Sequence, residues 1–83
     1  MDFIEFLKNR HLIIKNVREI KDTSAVQYNS RLVNMMKKKI YNRENRLNDK
    51  MLEKINLAYA NKANKYERTL KYYIEYKKHL TQQ

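Results

Sequence analysis

Residues 64–80, NKYERTLKYYIEYKKHL, place apolar and aromatic side chains at the three- and four-residue spacing of an amphipathic helix. The predicted buried stripe comprises Tyr66, Leu70, Tyr73, Ile74 and Lys77, with Leu80 beyond it. Lys77 can belong to this stripe because its aliphatic stem covers apolar surface while its ammonium group stays in water. We therefore predict a helix over residues 64–80.

The same spacing recurs along the chain and predicts three further helices, over residues 2–20, 24–42 and 49–60. The 83 residues include no glycine and no proline, so the residues that most often end helices and shape tight turns are missing. Asn and Asp must then supply the breaks, which we place near Asp22, Asn45 and Asn61. The predicted fold is all-α, one domain over residues 1–83. It is a compact bundle of four short helices, or five if the first breaks at residues 9–11.

The second and third helices each have a predicted start and a predicted buried face. Asp22, Thr23 or Ser24 can cap the second helix, and Asn48 or Asp49 the third. Left-handed backbone is expected at asparagines in the turns, namely Asn42, Asn45, Asn48, Asn61 and Asn64. The buried face of the second helix is predicted to hold Val26 (or Ala25), Asn29, Leu32, Val33, Met36 and Ile40. Among the tyrosines, we expect Tyr59, Tyr66 and Tyr73 in the core and Tyr28, Tyr41, Tyr72 and Tyr76 nearer the surface.

The chain is strongly basic, with 19 Lys and Arg residues against nine Asp and Glu residues and a formal net charge of +10. Such an excess favours a polyanionic partner. On the second helix, the face opposite the predicted core carries cations with polar side chains between them, and on the last helix a second basic surface is expected. The residues predicted to contact double-stranded DNA are Arg31, Asn34, Lys37, Lys38, Tyr41, Arg43, Lys65, Arg68 and Lys71.

Other functional classes have little support in the sequence. There is no cysteine, and His11 and His79 have no cluster of acidic residues around them, so we expect no metal site. A phosphate-binding glycine loop is excluded, and no nucleophile lies beside a base at a diagnostic spacing. We therefore expect a protein without catalytic activity or cofactor. Charged residues interrupt the apolar amino terminus, which predicts no signal peptide, and the longest apolar run, over residues 57–60, is too short to span a bilayer. We therefore expect a cytoplasmic location and no membrane partner. Lys-rich amphipathic helices can lie on anionic lipid, but the many Asn residues and the absence of Trp make this the least favoured alternative.

The order of these segments resembles the amino-terminal core-binding, SAM-like helical domain of phage-type tyrosine recombinases. In that family, Ser or Thr, Tyr and Leu follow one another at helical spacing in the second helix, as Ser24, Tyr28 and Leu32 do here. The aromatic-rich end of the last helix is loosely matched by Leu70, Tyr73 and Tyr76. The resemblance implies a four-helix module of a phage or other mobile element that clamps one side of duplex DNA for recombination. It also implies that Arg31, Lys38, Lys65 and Arg68 face phosphates.

The chain departs from that family because it contains no catalytic domain, so none of its tyrosines is assigned a nucleophilic role. Two other functions remain open from the sequence. One is a small phage or plasmid inhibitor or adaptor that docks on an acidic protein. The other is a homo-oligomeric helical bundle whose apolar stripes are completed by a second copy of the chain.

Overall fold

Four helices account for most of residues 1–82, the part of the chain that the computed structural model describes. These residues contain no strand, so the prediction of an all-α bundle is confirmed. The Cα radius of gyration of 12.6 Å is close to the value of about 12 Å expected for a compact chain of this length. The helices are α1 (Phe3–Ile13), α2 (Asp22–Lys37), α3 (Asp49–Ala58) and α4 (Ala63–Thr81).

The last helix, α4, is the centre of the bundle, because α1, α2 and α3 all pack against it. The first two helices also pack against each other, whereas within residues 1–82 α3 contacts neither α1 nor α2. Leu70 and Ile74 of α4 are buried as predicted, and Tyr66 and Tyr73 are half-buried beside them. The buried apolar residues of the other segments are Phe3, Phe6, Leu7, Ala25, Leu32, Met35, Ile40, Tyr41, Met51 and Ile55.

Two helices begin at residues whose side chains cap them. The Asp2 carboxylate accepts the backbone N–H of Glu5 at 2.8 Å, and the Asn48 amide oxygen accepts that of Met51 at 2.9 Å. The prediction of an Asn48 cap is therefore confirmed. For α2, the prediction of a side-chain cap is wrong, since the helix begins at Asp22 after Lys21, which makes no capping bond. Asp22 lies instead in the first turn, where its negative charge interacts favourably with the helix dipole.

The Asn48 cap leads to a prediction about stability. Replacing Asn48 with alanine should lower the free energy of unfolding by about 1 kcal/mol, because the Met51 N–H loses its acceptor. In a domain of this size the melting temperature should fall by about 4–8 °C. Thermal unfolding followed by circular dichroism measures this shift. Asn61→Ala, an exposed change in the α3–α4 turn, is the control, and equal melting temperatures for the two variants would contradict the cap.

The first helix is shorter than predicted. It ends at Ile13 instead of residue 20, and Ile14 adopts extended backbone with φ −114° and ψ 130°. The prediction over residues 14–20 is therefore wrong, and α1 is one helix without a break at residues 9–11. Asn16, with φ 64°, turns the chain in the left-handed region. The segment that follows α1 thereby returns α2 to pack alongside it.

The second helix ends five residues earlier than predicted, at Lys37 instead of residue 42. Its end is a Schellman motif, in which the Ile40 N–H donates to the Met35 carbonyl at 2.9 Å and the Lys39 N–H to the Met36 carbonyl at 3.1 Å. Lys39 occupies the left-handed position of this motif with φ 59°, where glycine is the usual residue. Burial of Ile40 and Met35 favours this ending, because the apolar contact between these two positions accompanies the motif.

Left-handed backbone occurs at Asn16, Lys39 and Arg43, and at none of the asparagines for which it was predicted. The last two helices begin and end within two residues of their predicted limits. The turn between α3 and α4 is therefore close to its predicted place, whereas the connections after α1 and α2 begin earlier than predicted. Two of the three left-handed positions are held by basic residues. Tertiary contacts, rather than the local preference of asparagine, choose these positions.

The buried face of the second helix differs from the predicted one. Val26 and Val33 are 52% and 41% exposed, whereas Ala25 and Met35 are fully buried. Leu32 and Ile40 are buried as predicted, and Asn29 and Met36 are half-buried. At the first position the alternative, Ala25, is confirmed in place of Val26, and the prediction for Val33 is wrong. Apolar residues border both sides of Leu32 around the helix, and packing against α1 and α4 selects one side.

Candidate nucleic-acid interface

Two arginines from different helices converge on one tyrosine between α2 and α4. The Arg31 guanidinium carbon lies 5.4 Å from the centroid of the Tyr28 ring, a distance typical of a cation–π contact. From α4, Arg68 approaches the Tyr28 side chain, and its interaction with Tyr28 is the main cause of the raised pKa of its guanidinium. Tyr28 in turn packs edge-on with Tyr72 at 5.1 Å. The sequence-predicted cations Arg31 and Arg68 are therefore neighbours in space.

A second link joins the end of α2 to the turn between α3 and α4. The Tyr59 hydroxyl donates a hydrogen bond to the Asn34 amide oxygen. Burial, followed by the neighbouring Tyr66, raises the pKa of Tyr59. The Tyr59 and Tyr66 rings stack with their centroids 3.6 Å apart, and Lys38 Nζ lies 5.0 Å from the Tyr59 centroid. Since Tyr66 covers one face of the ring, Lys38 covers the other.

The contacts at Tyr28 and those at Tyr59 bring polar and basic side chains of α2 and α4 into one surface, which we name the α2–α4 strip. On α2 its members recur every three or four residues, and Lys65 lies one turn before Arg68 on the same side of α4. Of its cations, Lys38, Lys65 and Arg68 are exposed and Arg31 is half-buried. The strip consists of Arg31, Asn34, Lys38, Lys65 and Arg68.

Among residues 1–82, no ion pair neutralises the positive charge of the strip. The ion pairs found in residues 1–82 are Lys8 with Asp22, Arg10 with Glu75, and Lys71 with Glu67. None of them involves a cation of the strip. Four positive charges on adjoining helices thus face solvent together, and they produce the local potential that attracts an anion.

Tyr28 and Tyr59, which lie beside the strip, hold two of its cations in place. Stacking on an aromatic ring restricts the long side chains of Arg31 and Lys38, so less conformational entropy is lost when they meet a ligand. Both faces of Tyr59 are already covered. A nucleobase would have to displace one of these contacts before it could stack on the ring. The arrangement therefore suits contacts to phosphate better than base stacking.

Arg10 lies next to the strip but is engaged within the protein. Its Nε and Nη2 atoms donate to the two Glu75 carboxylate oxygens at 2.5 and 3.2 Å, and its guanidinium carbon lies 4.7 Å from the Tyr72 centroid. The bond to Glu75 is the largest cause of the raised pKa of Arg10, and the side chain is only 13% exposed. Arg10 thus connects α1 to α4, and its guanidinium packs against the Tyr72 ring.

The remaining predicted residues differ from the members of the strip in position or in pairing. Lys37 is exposed, but it is rotated by about 100° around the α2 axis from Lys38. Arg43 lies in the loop between α2 and α3, where its carbonyl oxygen accepts a hydrogen bond from Lys77. Lys71 lies one turn after Arg68 and lines a depression with it, but the charge of Lys71 is paired with Glu67 at 3.6 Å.

The predicted position of Tyr41 on an exposed basic face is wrong. Its side chain is 1% exposed and packs against Tyr73, with ring centroids 5.7 Å apart. The cause is the early end of α2, since the turn at Lys39 directs Ile40 and Tyr41 back into the core. Tyr41 is therefore removed from the set of residues available to DNA.

Sequence analysis missed the residues that connect the strip. Tyr28 was placed near the surface and Tyr59 in the core, yet both are half-buried residues that contact its side chains. The spacing of Arg31, Asn34 and Lys38 indicates a shared face of α2. No local pattern joins Asn34 to Tyr59, which lies 25 residues further along the chain.

Comparisons with protein-family models, with curated proteins and with solved structures found no match to the chain. The resemblance to the core-binding domain of tyrosine recombinases therefore stays a prediction. Within residues 1–82, no helix combines the length and apolar character needed to cross a membrane. The same residues contain no group of three or more His, Asp or Glu side chains placed to hold a metal ion.

Proposed function

We propose that the protein is a non-catalytic module that binds the phosphate backbone of double-stranded DNA through the α2–α4 strip. The observation that carries this proposal is the convergence of Arg31 and Arg68 on Tyr28, in a surface whose cations form no ion pair within the described part of the chain. Lys and Arg gain affinity for DNA because phosphate contacts release condensed counterions. The origin of the module in a phage or other mobile element remains part of the proposal.

The dimensions of the strip suit a duplex backbone. Arg31 and Lys38 are seven residues apart on α2, which corresponds to about 10 Å along the helix. Successive phosphates of one DNA strand advance by about 3.4 Å along the duplex axis, so this distance spans about three steps. Lys65 and Arg68 add two cations from the adjoining helix. We therefore expect up to four phosphate contacts and little sequence preference, since phosphate contacts carry no base information.

A salt series tests the proposal. Binding of a labelled duplex, measured by fluorescence anisotropy, should weaken with a log–log slope of about −3 to −4 if four phosphates are neutralised. In Arg31→Gln/Arg68→Gln, we expect a slope less steep by about 2, because two counterion-releasing contacts are lost. Affinity at low salt should fall by at least about tenfold, a change equivalent to 1.4 kcal/mol.

The matched control is Lys15→Gln/Arg18→Gln, which removes the same charge from exposed positions between α1 and α2. It should leave the slope near that of the unchanged protein. Undetectable binding at low salt would overturn the proposal. Equal losses in the two double variants would show attraction by net charge alone, and would remove the α2–α4 strip as the binding surface.

A further inference from the structure

A second concave surface lies at the other end of α4, where the loop of residues 42–48 crosses the helix. One depression of about 340 Å³ is lined by Asn45, Ile74, Lys77, Lys78, Leu80 and Thr81. An adjoining depression of about 240 Å³ shares Asn45, Ile74 and Lys78 with the first and adds Arg46, Leu47 and Lys71. We name the two together the loop–α4 groove. Its apolar lining comes from Leu47, Ile74 and Leu80, of which Leu80 is 41% exposed.

The loop that forms one wall is fixed by hydrogen bonds. Lys77 Nζ donates to the Arg43 carbonyl at 2.8 Å and to Asn45 Oδ1 at 3.1 Å. The buried Tyr41 hydroxyl donates to the Glu44 carbonyl at 2.7 Å, and the Glu44 carboxylate accepts the backbone N–H of Asn42. The groove is therefore preformed, and a ligand does not have to order the loop on binding.

Cations surround the apolar lining. Arg46, Lys71, Lys77 and Lys78 all line the groove, and of these only Lys71 takes part in an ion pair found in residues 1–82, with Glu67. A ligand that complements this surface needs negative charge at its periphery and an apolar group at its centre. An acidic peptide with one large apolar side chain has both features.

We infer that the loop–α4 groove binds an acidic peptide segment of a protein partner, anchored by an apolar side chain packed between Leu47, Ile74 and Leu80. Nucleic acid fits less well, because phosphate and sugar would leave the apolar lining without a complement. The inference goes beyond the DNA-binding proposal and does not depend on it. Contacts of the α2–α4 strip and of the groove involve different residues, so each can be removed separately.

Binding of two labelled synthetic peptides tests the inference. Both have Asp and Glu residues on either side of one central position, which is Leu in the first peptide and Ser in the second. The Leu peptide should bind about tenfold more tightly, which corresponds to burial of part of one leucine side chain. Leu80→Ser should abolish most of this difference, and Lys78→Gln should weaken both peptides.

Leu80 and Lys78 are exposed, so the variants should fold, and circular dichroism of each one verifies it. Lys62→Gln removes one exposed charge just before the start of α4, at the opposite end of this helix from Lys78, and should leave the preference for Leu unchanged. Equal affinities for the Leu and Ser peptides, or no binding of either, would overturn the inference. So would a loss of DNA binding in Lys78→Gln as large as in Arg31→Gln/Arg68→Gln, because the groove would then belong to the DNA surface.

Discussion

Replacing Phe6 with alanine should destabilise the protein by about 3–5 kcal/mol, the range found when a buried aromatic ring is removed from a core. Phe6 has no exposed surface. Its ring lies between α1 and α4, 5.5 Å from the ring centroids of both Tyr76 and His79. A domain of 83 residues has a total stability of about 4–12 kcal/mol. The cavity should therefore remove much of the free energy that keeps the protein folded.

Urea unfolding followed by circular dichroism measures this loss. Phe6→Leu keeps an apolar side chain of moderate size at the same position and should cost clearly less than Phe6→Ala. Leu12→Ala, a change in the same helix at a side chain that is 74% exposed, should cost less than about 0.5 kcal/mol. If Phe6→Ala and Leu12→Ala had similar stabilities, α1 would not be packed against α4 through Phe6.

Alkaline pH should destabilise the protein through Tyr41. Burial is the main cause that raises the pKa of this phenol from 10.0 to about 12, with smaller contributions from Tyr73 and Glu44. Because each pKa unit corresponds to about 1.4 kcal/mol, the neutral form contributes about 3 kcal/mol of pH-dependent stability. The folded pKa lies above the unfolded one, so this contribution is complete below pH 10 and is lost as the pH rises towards 12.

Comparison with Tyr41→Phe separates this effect from the titration of the many lysines. Near neutral pH the variant should be less stable by about 1 kcal/mol, because the Glu44 carbonyl loses the hydrogen bond from Tyr41. Phenylalanine does not ionise, so the order should reverse as the pH approaches about 12. Urea unfolding at a series of pH values measures both proteins. A constant difference between them would show that Tyr41 does not titrate as a buried group.

The helical architecture was largely predictable because it depends on local properties. The spacing of Leu70, Tyr73 and Ile74 indicates a helix and its buried side, and the absence of glycine and proline leaves few alternatives. The rotation of α2 was not predictable from spacing alone. Its apolar side chains extend around about half of the helix, and the choice between Val33 and Met35 is made by the helices against which α2 packs.

The end of α2 shows why one residue in the candidate site was misplaced. A helix that continued to residue 42 would have put Tyr41 on the basic face. Lys39 instead adopts left-handed backbone, a conformation that local preference disfavours for lysine by about 1–2 kcal/mol. Burial of Ile40 and Tyr41 offsets this cost. A sequence without glycine gives no local sign of such a turn.

For the candidate site, the sequence indicated the charges but not their grouping. Arg31 and Lys38 share a face of α2 by spacing, whereas their association with Arg68 depends on contacts through Tyr28 and the packing of α2 on α4. Lys71 was predicted together with Arg68, and in the structure it lies between Arg68 and the loop–α4 groove, bordering both. Helical periodicity could not indicate the groove, because it describes one helix at a time and the other wall of the groove is a loop.

The central position of α4 also has a consequence for synthesis of the chain. During translation α1 and α2 emerge first and can pack against each other, but α3 contacts neither of them. It has no helix to pack against until α4 leaves the ribosome. We therefore expect a nascent chain that ends before α4 to expose apolar residues such as Met51 and Ile55, which makes this intermediate a substrate for chaperones and proteases.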